Sequence, residues 1–379
     1  MLDGIVAARN GLECFVYTNI AKQIFFRIDP EIVHDRMIAV GARLGRHAWT
    51  RKATSLLFSY SHPALEQDIL GIHFFNPIGL SAGFDKDAEL TDILPSVGFG
   101  FAEVGSVTGE PCEGNPKPRL WRLPKSKGLV VHYGLKSKGC EAIAQKLRGK
   151  TFGIPIGMSI AKTNCRETTE TNSGIRDYVK AYRALSDIGA FSTINISCPN
   201  AYGGQPFTDP ASLDTLLAAI DEIPKRKPIF LKLSPDLSEM EIDAIIDVCA
   251  RHSVDGFICT NLTKNRDNKK IADRNAPEKG GLSGKVVQDL SDNLIRAVWK
   301  KTGAPACAGR RYVIIGCGGV FSAEDAYKKI KAGASLIQLI TGMIFEGPQV
   351  VSEINRGLVS LLKKDGFPNI SQAVGADYH

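Results

Sequence analysis

Short apolar runs alternate with helical patterns along most of the chain. Each run has the length and composition of a buried strand, and each precedes a segment whose apolar residues recur at helical spacing. The eight runs span residues 78–81, 101–105, 154–160, 193–197, 229–233, 256–260, 312–316 and 336–340. The helical patterns follow near residues 87–97, 138–148, 173–188, 211–222, 238–252, 286–302, 322–332 and 347–364.

Eight strand–helix units over about 300 residues predict an α/β fold of the (β/α)8 TIM barrel type. A doubly wound open sheet is the alternative. That fold usually carries a Gly-x-Gly-x-x-Gly motif after its first strand, and this chain has none there. The 379 residues suffice for one barrel with an additional N-terminal part.

The N-terminal part predicts a helical hairpin. Apolar side chains recur every four residues from Leu12 to Ile24, which predicts a helix over residues 12–28 with one apolar face. Asp29 and Pro30 then supply an N-cap and a first helical residue for a second helix.

Two interpretations of this hairpin are open. Cations surround Trp49, and the apolar residues 56–58 follow, which is the composition of a surface that meets lipid headgroups and inserts apolar side chains. The alternative is a helical cap on the main domain, because amphipathic helices usually face a core. Residues 1–62 carry 8 Lys and Arg against 5 Asp and Glu, a net charge of only +3. Burial of apolar groups must therefore dominate any membrane attachment.

Composition excludes several classes of protein. Hydrophobic residues at 44%, charged residues at 23% and a mean hydropathy of −0.06 are typical of a globular chain. The net charge of +7 is spread along the sequence, so nucleic acid is not an expected partner. The nine cysteines show neither a Cys-x-x-Cys pair nor zinc-like spacing, which predicts a reducing compartment and no metal. The sequence shows no apolar run long enough to span a bilayer and no secretory signal.

Polar residues follow the predicted strands, where a barrel places its active site. Lys232 interrupts an apolar run, and it needs a negative partner that a bound anion would supply. Glycine-rich segments at 316–319 and 341–342 lie after the last two strands, where barrels bind phosphate, and residues 280–284 would add amide donors. Each segment alone is more often a tight turn, but together they favour a phosphorylated cofactor.

Cys198 is the candidate general base. Pro199 disfavours helix at the preceding residue and so holds Cys198 at the exit of a strand. Thiols ionise near pKa ~8.5 and act as bases when neighbours assist, although a lone cysteine is more often a small buried hydrophobe. The amides of Asn195, Asn200 and Asn261 suit a planar ligand with carbonyl and N–H groups; loop capping is the alternative for each.

Six motifs stand in a specific order along the chain. They are Ser-Ala-Gly-Phe-Asp-Lys (81–86), Glu-Val-Gly-Ser-Val-Thr (103–108), Gly-Asn-Pro-Lys-Pro-Arg-Leu-Trp-Arg-Leu (114–123), Asn-Ile-Ser-Cys-Pro-Asn (195–200), Gly-Gly-Leu-Ser-Gly-Lys (280–285) and Ile-Gly-Cys-Gly-Gly-Val (315–320). The set resembles the dihydroorotate dehydrogenase family. Residues 12–60 and the ending 375–379 resemble its membrane-associated, quinone-using class 2. The resemblance implies a helical membrane domain over 1–62 and an FMN-binding barrel over 63–379.

The resemblance also implies a reaction and a set of site residues. The reaction is oxidation of (S)-dihydroorotate to orotate in pyrimidine biosynthesis: Cys198 removes the C5 proton, a hydride passes from C6 to flavin N5, and a membrane quinone takes the electrons. FMN would be held by Ala82, Gly83, Ser106, Asn195, Lys232, Thr260, Ser283, Gly284, Gly318, Gly319, Thr341 and Gly342. The substrate would contact Lys86, Asn195, Asn200 and Asn261. The quinone route would pass His34 and Arg122.

Several positions depart from the class 2 pattern. Class 2 enzymes usually have serine as the base, whereas Cys198 resembles the soluble class 1 version. Val131 replaces an amide expected to hold the substrate, unless His132 substitutes for it. Three further differences are Ser159 for a flavin-facing asparagine, Leu262 for a hydroxyl residue, and Ala201 for a threonine that assists proton release.

The electron acceptor and the turnover of the protein each leave one alternative open. One alternative is a soluble-type enzyme that passes electrons to fumarate or to a partner protein. The other is a flavin-binding protein of the membrane surface that has lost turnover. The chain shows no transit-like leader, so we expect peripheral attachment to the cytoplasmic face of a bacterial inner membrane, or to the mitochondrial inner membrane in a eukaryote.

Overall fold

A computed structural model describes residues 2–302 and 312–378 of the chain. Cys307 and His379, which entered the cysteine count and the family-like ending, lie outside the described residues. The strands are β1 (Gln67–Ile69), β2 (Ile72–Phe74), β3 (Ile78–Leu80), β4 (Phe101–Val107), β5 (Leu120–Leu123), β6 (Gly128–Val131), β7 (Ile156–Ile160), β8 (Phe191–Asn195), β9 (Ile229–Leu233), β10 (Gly256–Cys259), β11 (Gly281–Gly284), β12 (Val313–Cys317) and β13 (Leu336–Leu339).

The predicted TIM barrel is confirmed. Strands β3, β4, β7, β8, β9, β10, β12 and β13 close a parallel barrel in that order. Each overlaps one predicted run, but the fourth run was misplaced: the prediction was 193–197, and β8 spans Phe191–Asn195. Phe191 is buried at the amino end of the barrel, 5.3 Å from Phe230 between ring centroids. This anchor starts the strand two residues early and leaves Cys198 in the following loop.

The amino end of the barrel is filled and the other end is open. Phe74 of β2 packs edge-on against Phe101 at 5.6 Å between centroids, so the β1–β2 hairpin closes the bottom. Phe101, Phe191 and Phe230 belong to the same buried aromatic cluster. A packed bottom leaves the carboxyl ends of the strands as the place for a ligand.

The helices surround the barrel and form the N-terminal part. They are α1 (Leu2–Val16), α2 (Lys22–Phe25), α3 (Pro30–Gly45), α4 (Ala48–Phe58), α5 (Leu94–Val97), α6 (Cys140–Leu147), α7 (Thr171–Leu185), α8 (Pro210–Asp221), α9 (Glu239–Ala250), α10 (Gln288–Thr302), α11 (Ala323–Lys331), α12 (Thr341–Glu346), α13 (Val350–Asp365) and α14 (Ile370–Ala373). The helix predicted over 87–97 was wrong in extent, because Asp85 accepts hydrogen bonds from the backbone N–H groups of Glu89 and Leu90 and holds a turn there.

The N-terminal helices differ from prediction at two points. The first begins at residue 2, ten residues earlier than predicted, and continues through a π-helical turn at Tyr17–Ala21 into α2. The carboxylate of Asp29 caps α3 as predicted, accepting from Glu31 N at 2.9 Å and Ile32 N at 3.1 Å. The segment around Trp49 forms α4, a third helix beyond the predicted hairpin. Within the described residues, no helix combines the length and the apolar character needed to cross a membrane.

A three-stranded antiparallel sheet was not predicted. Strand β11 pairs with β6, and β6 pairs with β5, so residues 281–284 of the glycine-rich segment form an edge strand. The sheet carries Leu120, Leu129 and Ser283 to the rim of the barrel opening. It therefore forms the wall between the barrel and the N-terminal helices.

Candidate active site

One cavity occupies the carboxyl ends of the barrel strands, with about 1280 Å³ between its walls, part of it open to solvent. We call it the strand-end cavity. Its lining includes every site residue named from the sequence except Arg122. Arg122 instead donates to the carbonyl of Ile28 at 2.8 Å and lies 4.8 Å from the ring centroid of Phe26. It thus fastens the sheet to the turn between the N-terminal helices.

The glycine-rich end of the cavity is tightly packed backbone. A Cβ atom on Gly342 would lie 2.1 Å from the carbonyl oxygen of Val320, and one on Gly319 would lie 2.3 Å from Cβ of Gln288. Gly319 also has a φ of +74°, which disfavours other residues. Beside them, the hydroxyls of Ser283 and Thr341 are 2.9 Å apart. Two glycine-rich backbone segments and two hydroxyls thus lie at one end of the cavity, a composition that suits an oxyanion.

A chain of hydrogen bonds orders the amides at the strand ends. Asn195 donates through Nδ2 to Ser106 Oγ at 2.9 Å, and Asn261 donates to Asn195 Oδ1 at 3.1 Å. The hydroxyl of Ser106 is 2.8 Å from that of Ser159, which is fully buried. The same network holds Asn261 to Ser197 Oγ at 3.1 Å. Each amide orientation is therefore set by its neighbours.

Lys232 has a negative partner within the protein. Its Nζ donates to Ser81 Oγ at 3.2 Å and lies 3.8 Å from Oε2 of Glu103, which also accepts from Gln338 at 2.8 Å. The expectation that a bound anion must balance Lys232 is corrected, because the buried carboxylate of Glu103 already does so. Within the described residues, Oε1 of Glu103 and Oε1 of Gln338 are buried without a hydrogen-bond partner.

Lys86 faces an aromatic ring instead of a carboxylate. Its Nζ lies 4.0 Å from the ring centroid of Tyr133, and the guanidinium of Arg119 lies 5.0 Å from the same ring. Burial lowers the pKa of Lys86 to about 8. Arg119 pairs with Glu31 of α3 at 2.9 Å, so the N-terminal helices support this corner of the cavity. An ammonium in such a setting gains from an anionic ligand.

Cys198 lies on the loop after β8 and lines the cavity. Burial raises the pKa of its thiol above the usual range, while the backbone N–H of Asn200, Lys162 and Lys264 act in the opposite direction. The thiol is therefore mostly protonated at neutral pH, and the fraction able to accept a proton grows as the pH rises.

His34 connects the cavity to the N-terminal helices. Its Nε2 donates to the carbonyl of Phe84 at 2.9 Å, and burial lowers its pKa to about 4, so the imidazole is neutral. Leu120, Leu129 and Ile344 line the cavity together with His34. This arm is apolar enough for an uncharged ring.

A sequence model of the dihydroorotate dehydrogenase family matches residues 64–362. The chain belongs to that family. Two relatives named dihydroorotate dehydrogenase (quinone) come from Gloeobacter violaceus, 36% identical with 95% of this chain and 98% of the relative covered, and from Haloarcula marismortui, 38% identical with 95% and 99% covered. The crystal structure of an Eimeria tenella dihydroorotate dehydrogenase in complex with ferulenol has a TM-score of 0.81 and 29% identity, with 93% of this chain and 96% of that one covered.

Two positions that depart from the class 2 pattern, 131 and 132, lie beside Asn200. Val131 lines the cavity, and its carbonyl accepts from Asn200 Nδ2 at 2.9 Å. Nδ1 of His132 lies 3.5 Å from Oδ1 of the same Asn200 and 3.4 Å from Nδ2 of Asn115. His132 is not part of the lining among the described residues, so its influence on a ligand passes through Asn200.

Sequence reasoning missed several residues that line the strand-end cavity or lie behind its wall. They are Ser81, Glu103, Tyr133, Lys136, Lys162 and Gln338. For Glu103 a signal was present, because a charged residue inside the apolar run 101–105 needs a partner as much as Lys232 does. No comparable signal marks Tyr133, whose role depends on contacts with Lys86 and Arg119.

Proposed function

We propose that this chain is a quinone-dependent dihydroorotate dehydrogenase that holds FMN and oxidises (S)-dihydroorotate to orotate in de novo pyrimidine biosynthesis. One observation carries the proposal: Cys198, Lys86 and three asparagines share a single strand-end cavity with a glycine-rich cradle. Support also comes from relatives with that printed name, which this chain matches over nearly its whole length.

The cavity residues fit FMN on three observations. The backbone amides at Gly318, Gly319 and Gly342, with the nearby hydroxyls, suit a phosphate. The unpartnered Oε1 of Gln338 would accept from an N–H group of a ring. A Cβ on Gly83 would meet no atom within 4 Å, so this position borders open cavity space. When bound, FMN would supply the hydride acceptor for the substrate and pass the electrons to quinone.

The chain's own residues would divide the work of substrate oxidation. Lys86 would pair with the substrate carboxylate, and the ordered amides of Asn195, Asn200 and Asn261 would hold the ring. Cys198 would remove the proton at C5 as a thiolate. Lys232, charge-balanced by Glu103, would stabilise negative charge that develops on the ring edge nearest to it.

The N-terminal helices would deliver the quinone. Their outward side exposes large apolar side chains, which we call the N-terminal apolar face; its members are Ile5, Leu12, Phe15, Val16, Ile20, Ile24, Ile32, Val40, Leu44, Trp49, Leu56 and Leu57. Such a face suits peripheral attachment to a bilayer, on the cytoplasmic side of a bacterial inner membrane or on the mitochondrial inner membrane in a eukaryote. Neutral His34 would flank the route inward at the cavity wall, and Arg122 would support the route from outside the lining, through the turn at Ile28.

Anaerobic addition of dihydroorotate to the FMN-loaded protein tests the proposal. We expect the flavin absorbance to bleach and orotate to form in equal amount. Protein that keeps its colour would instead be a flavin-binding surface protein without turnover. In the second half of the experiment, the reduced protein is mixed with a short-chain ubiquinone or with fumarate. Faster reoxidation by fumarate would favour the soluble-type alternative.

A further inference from the structure

Lys162 is a buried cation on the loop after β7 with no assigned role. Its side chain is 3% exposed. Its Nζ donates to the carbonyl of Tyr202 at 2.8 Å and lies 3.4 Å from Thr168 Oγ1. The carboxylate that influences it, Asp177, accepts instead from the backbone N–H and hydroxyl of Thr163, both at 2.7 Å. Burying an ammonium without a close carboxylate costs free energy of folding, which indicates that the positive charge of Lys162 serves a function.

Lys162 helps to hold the loop that carries Cys198. It binds the carbonyl of Tyr202, and Asn164 of the same β7 loop accepts from the N–H of Tyr202 at 2.6 Å. Both backbone polar groups of Tyr202 are therefore tied to one neighbouring loop. Gln205 closes the other side by donating to the carbonyl of Ser197 at 3.3 Å. The segment between Ser197 and Gln205 is thus fastened on both sides of the thiol.

The charge of Lys162 also acts on the thiol itself. The groups that face Cys198 are Lys162, Lys264, Cys112, Tyr178 and the N–H of Asn200. Lys162 and Lys264 both favour the thiolate. Lys264 is exposed and its influence on the thiol is weakened by water, whereas Lys162 is buried and its influence is screened much less.

We propose that Lys162 is a positioning residue for Cys198: it fixes the loop that carries the thiol through Tyr202, and its ammonium stabilises the thiolate that accepts the substrate proton. This inference rests on the proposed function, in which Cys198 is the base. Removing the charge should shift the ionisation of Cys198 to higher pH whether or not a hydrogen-bond donor for Tyr202 is kept.

Four full-length variants separate charge from tethering. Lys162→Arg keeps the charge, Lys162→Gln keeps a donor for Tyr202 without charge, and Lys162→Met keeps neither. Lys264→Met removes an exposed cation as the matched control. The first measurement is the rate of iodoacetamide alkylation at Cys198 against pH, followed by mass spectrometry of the peptide that contains it. It needs neither substrate nor turnover.

We expect the alkylation midpoint to rise by about one pH unit or more in the Gln and Met variants, to stay near the parent value in the Arg variant, and to move less in Lys264→Met. The pH profile of flavin reduction by dihydroorotate should shift in the same direction, with reduction at pH 7 roughly tenfold slower. A Gln variant with the parent midpoint would overturn the inference. If the Met variant fails to fold, the comparison of Arg with Gln still decides.

Failure of the inference and failure of the proposed function give different results. If parent protein is not bleached by dihydroorotate, the proposed function fails, while the alkylation profile still reports on Lys162. If the parent protein oxidises dihydroorotate and the pH midpoint of Cys198 alkylation is the same with and without a charge at residue 162, only the inference about Lys162 fails.

Discussion

Lys86 and Lys232, two of the lysines that line the cavity, differ in their surroundings. Lys232 has its charge balanced by Glu103, and Lys86 lies over the ring of Tyr133 with Asp35, Asp87 and Glu31 acting on it only through space. A balanced ammonium can contact a group that is neutral at rest and stabilise negative charge that develops on it during the reaction. An unbalanced one gains most from an anionic ligand, since that ligand supplies the missing counter-charge.

Replacement of Lys86 tests that distinction. Lys86→Met should weaken orotate binding roughly tenfold to a hundredfold, the range expected for loss of a charge-assisted hydrogen bond. The dissociation constant is measured from the change in flavin absorbance on titration. Because the pKa of Lys86 is lowered to about 8, the charged form is lost as the pH rises through 8, and parent affinity should fall there. Lys86→Arg should bind orotate without this decline. An affinity of the parent protein for orotate that stays constant up to pH 9.5 would contradict a contact between orotate and the charged form of Lys86.

Cys198 should be needed for reduction of the flavin but not for holding it. Cys198→Ala should retain FMN and lose about 10²- to 10⁴-fold in the anaerobic reduction rate, the usual contribution of a general base. Cys198→Ser should be partly active, more so at high pH. Cys14→Ser, on α1, is the control and should behave like the parent. An unchanged reduction rate in Cys198→Ala would place the base elsewhere.

The loops after β12 and β13 are shaped by close backbone contact. Gly342, in the first turn of α12, lies directly against the carbonyl of Val320, so the two loops cannot separate without opening the glycine-rich end of the cavity. Strand β11 supports the same region, because a Cβ on its Gly284 would lie 2.3 Å from the carbonyl of Lys127. The glycines at these loop ends are thus explained by packing.

Gly342→Ala should therefore reduce FMN binding. The added methyl would meet a backbone oxygen at 2.1 Å, and overpacking of this kind costs about 1–3 kcal/mol. We expect a dissociation constant for FMN at least roughly tenfold higher, measured by fluorescence on re-addition of FMN, and a lower melting temperature. Gly11→Ala is the matched control, since a Cβ there meets no atom within 4 Å. Equal FMN affinity in the two variants would contradict a role of Gly342 in FMN binding.

The cap of α3 should contribute to stability independently of the site. Asp29→Ala removes the acceptor for two backbone N–H groups and should lower the free energy of unfolding by about 1 kcal/mol. Asp29→Asn keeps a capping oxygen and should stay closer to the parent. Denaturant unfolding followed by circular dichroism measures both variants. Equal loss in both would mean that charge, not capping, matters at this position.

The N-terminal helices bury one side against the barrel and expose the other. Tyr17 donates to the carbonyl of Ile344 at 2.7 Å, and Arg9 donates to Ser352 Oγ at 2.7 Å, so the helices are docked on the barrel. The residues predicted to form an apolar face, from Leu12 to Ile24, are 44–66% exposed at steps of four. A helical cap on the barrel and a membrane-facing surface are therefore compatible interpretations, because one side of the helices packs on the barrel and the other is exposed.

Vesicle sedimentation tests the outward side. We expect the parent protein to bind vesicles of neutral phosphatidylcholine and to remain bound at high salt, because the net charge of residues 1–62 is small and apolar burial dominates. The double variant Leu12→Glu/Phe15→Glu should lose most of this binding. Met240→Glu, at an 81% exposed position on α9, is the matched control. Binding that requires anionic lipid and vanishes at modest salt would contradict the proposed balance of forces.

The order of amino acids alone was enough to predict the barrel and the cap of α3, and the family-like motifs named site residues of which all but Arg122 line the cavity. Those features depend on short-range patterns: apolar runs mark strands, Asp29-Pro30 marks a helix start, and polar residues after strands mark the open end of a barrel.

Other features depended on contacts between distant parts of the chain, which no local pattern records. The balance of Lys232 by Glu103, the ring of Tyr133 between Lys86 and Arg119, and the hold of Lys162 on Tyr202 each join residues at least 14 positions apart. The boundaries of β8 and of the helix at 87–97 were likewise set by a buried phenylalanine and a carboxylate turn. Partner choice among buried charges is a property of the packed molecule, because burial, and with it the cost of an unpaired charge, exists only once the chain has folded.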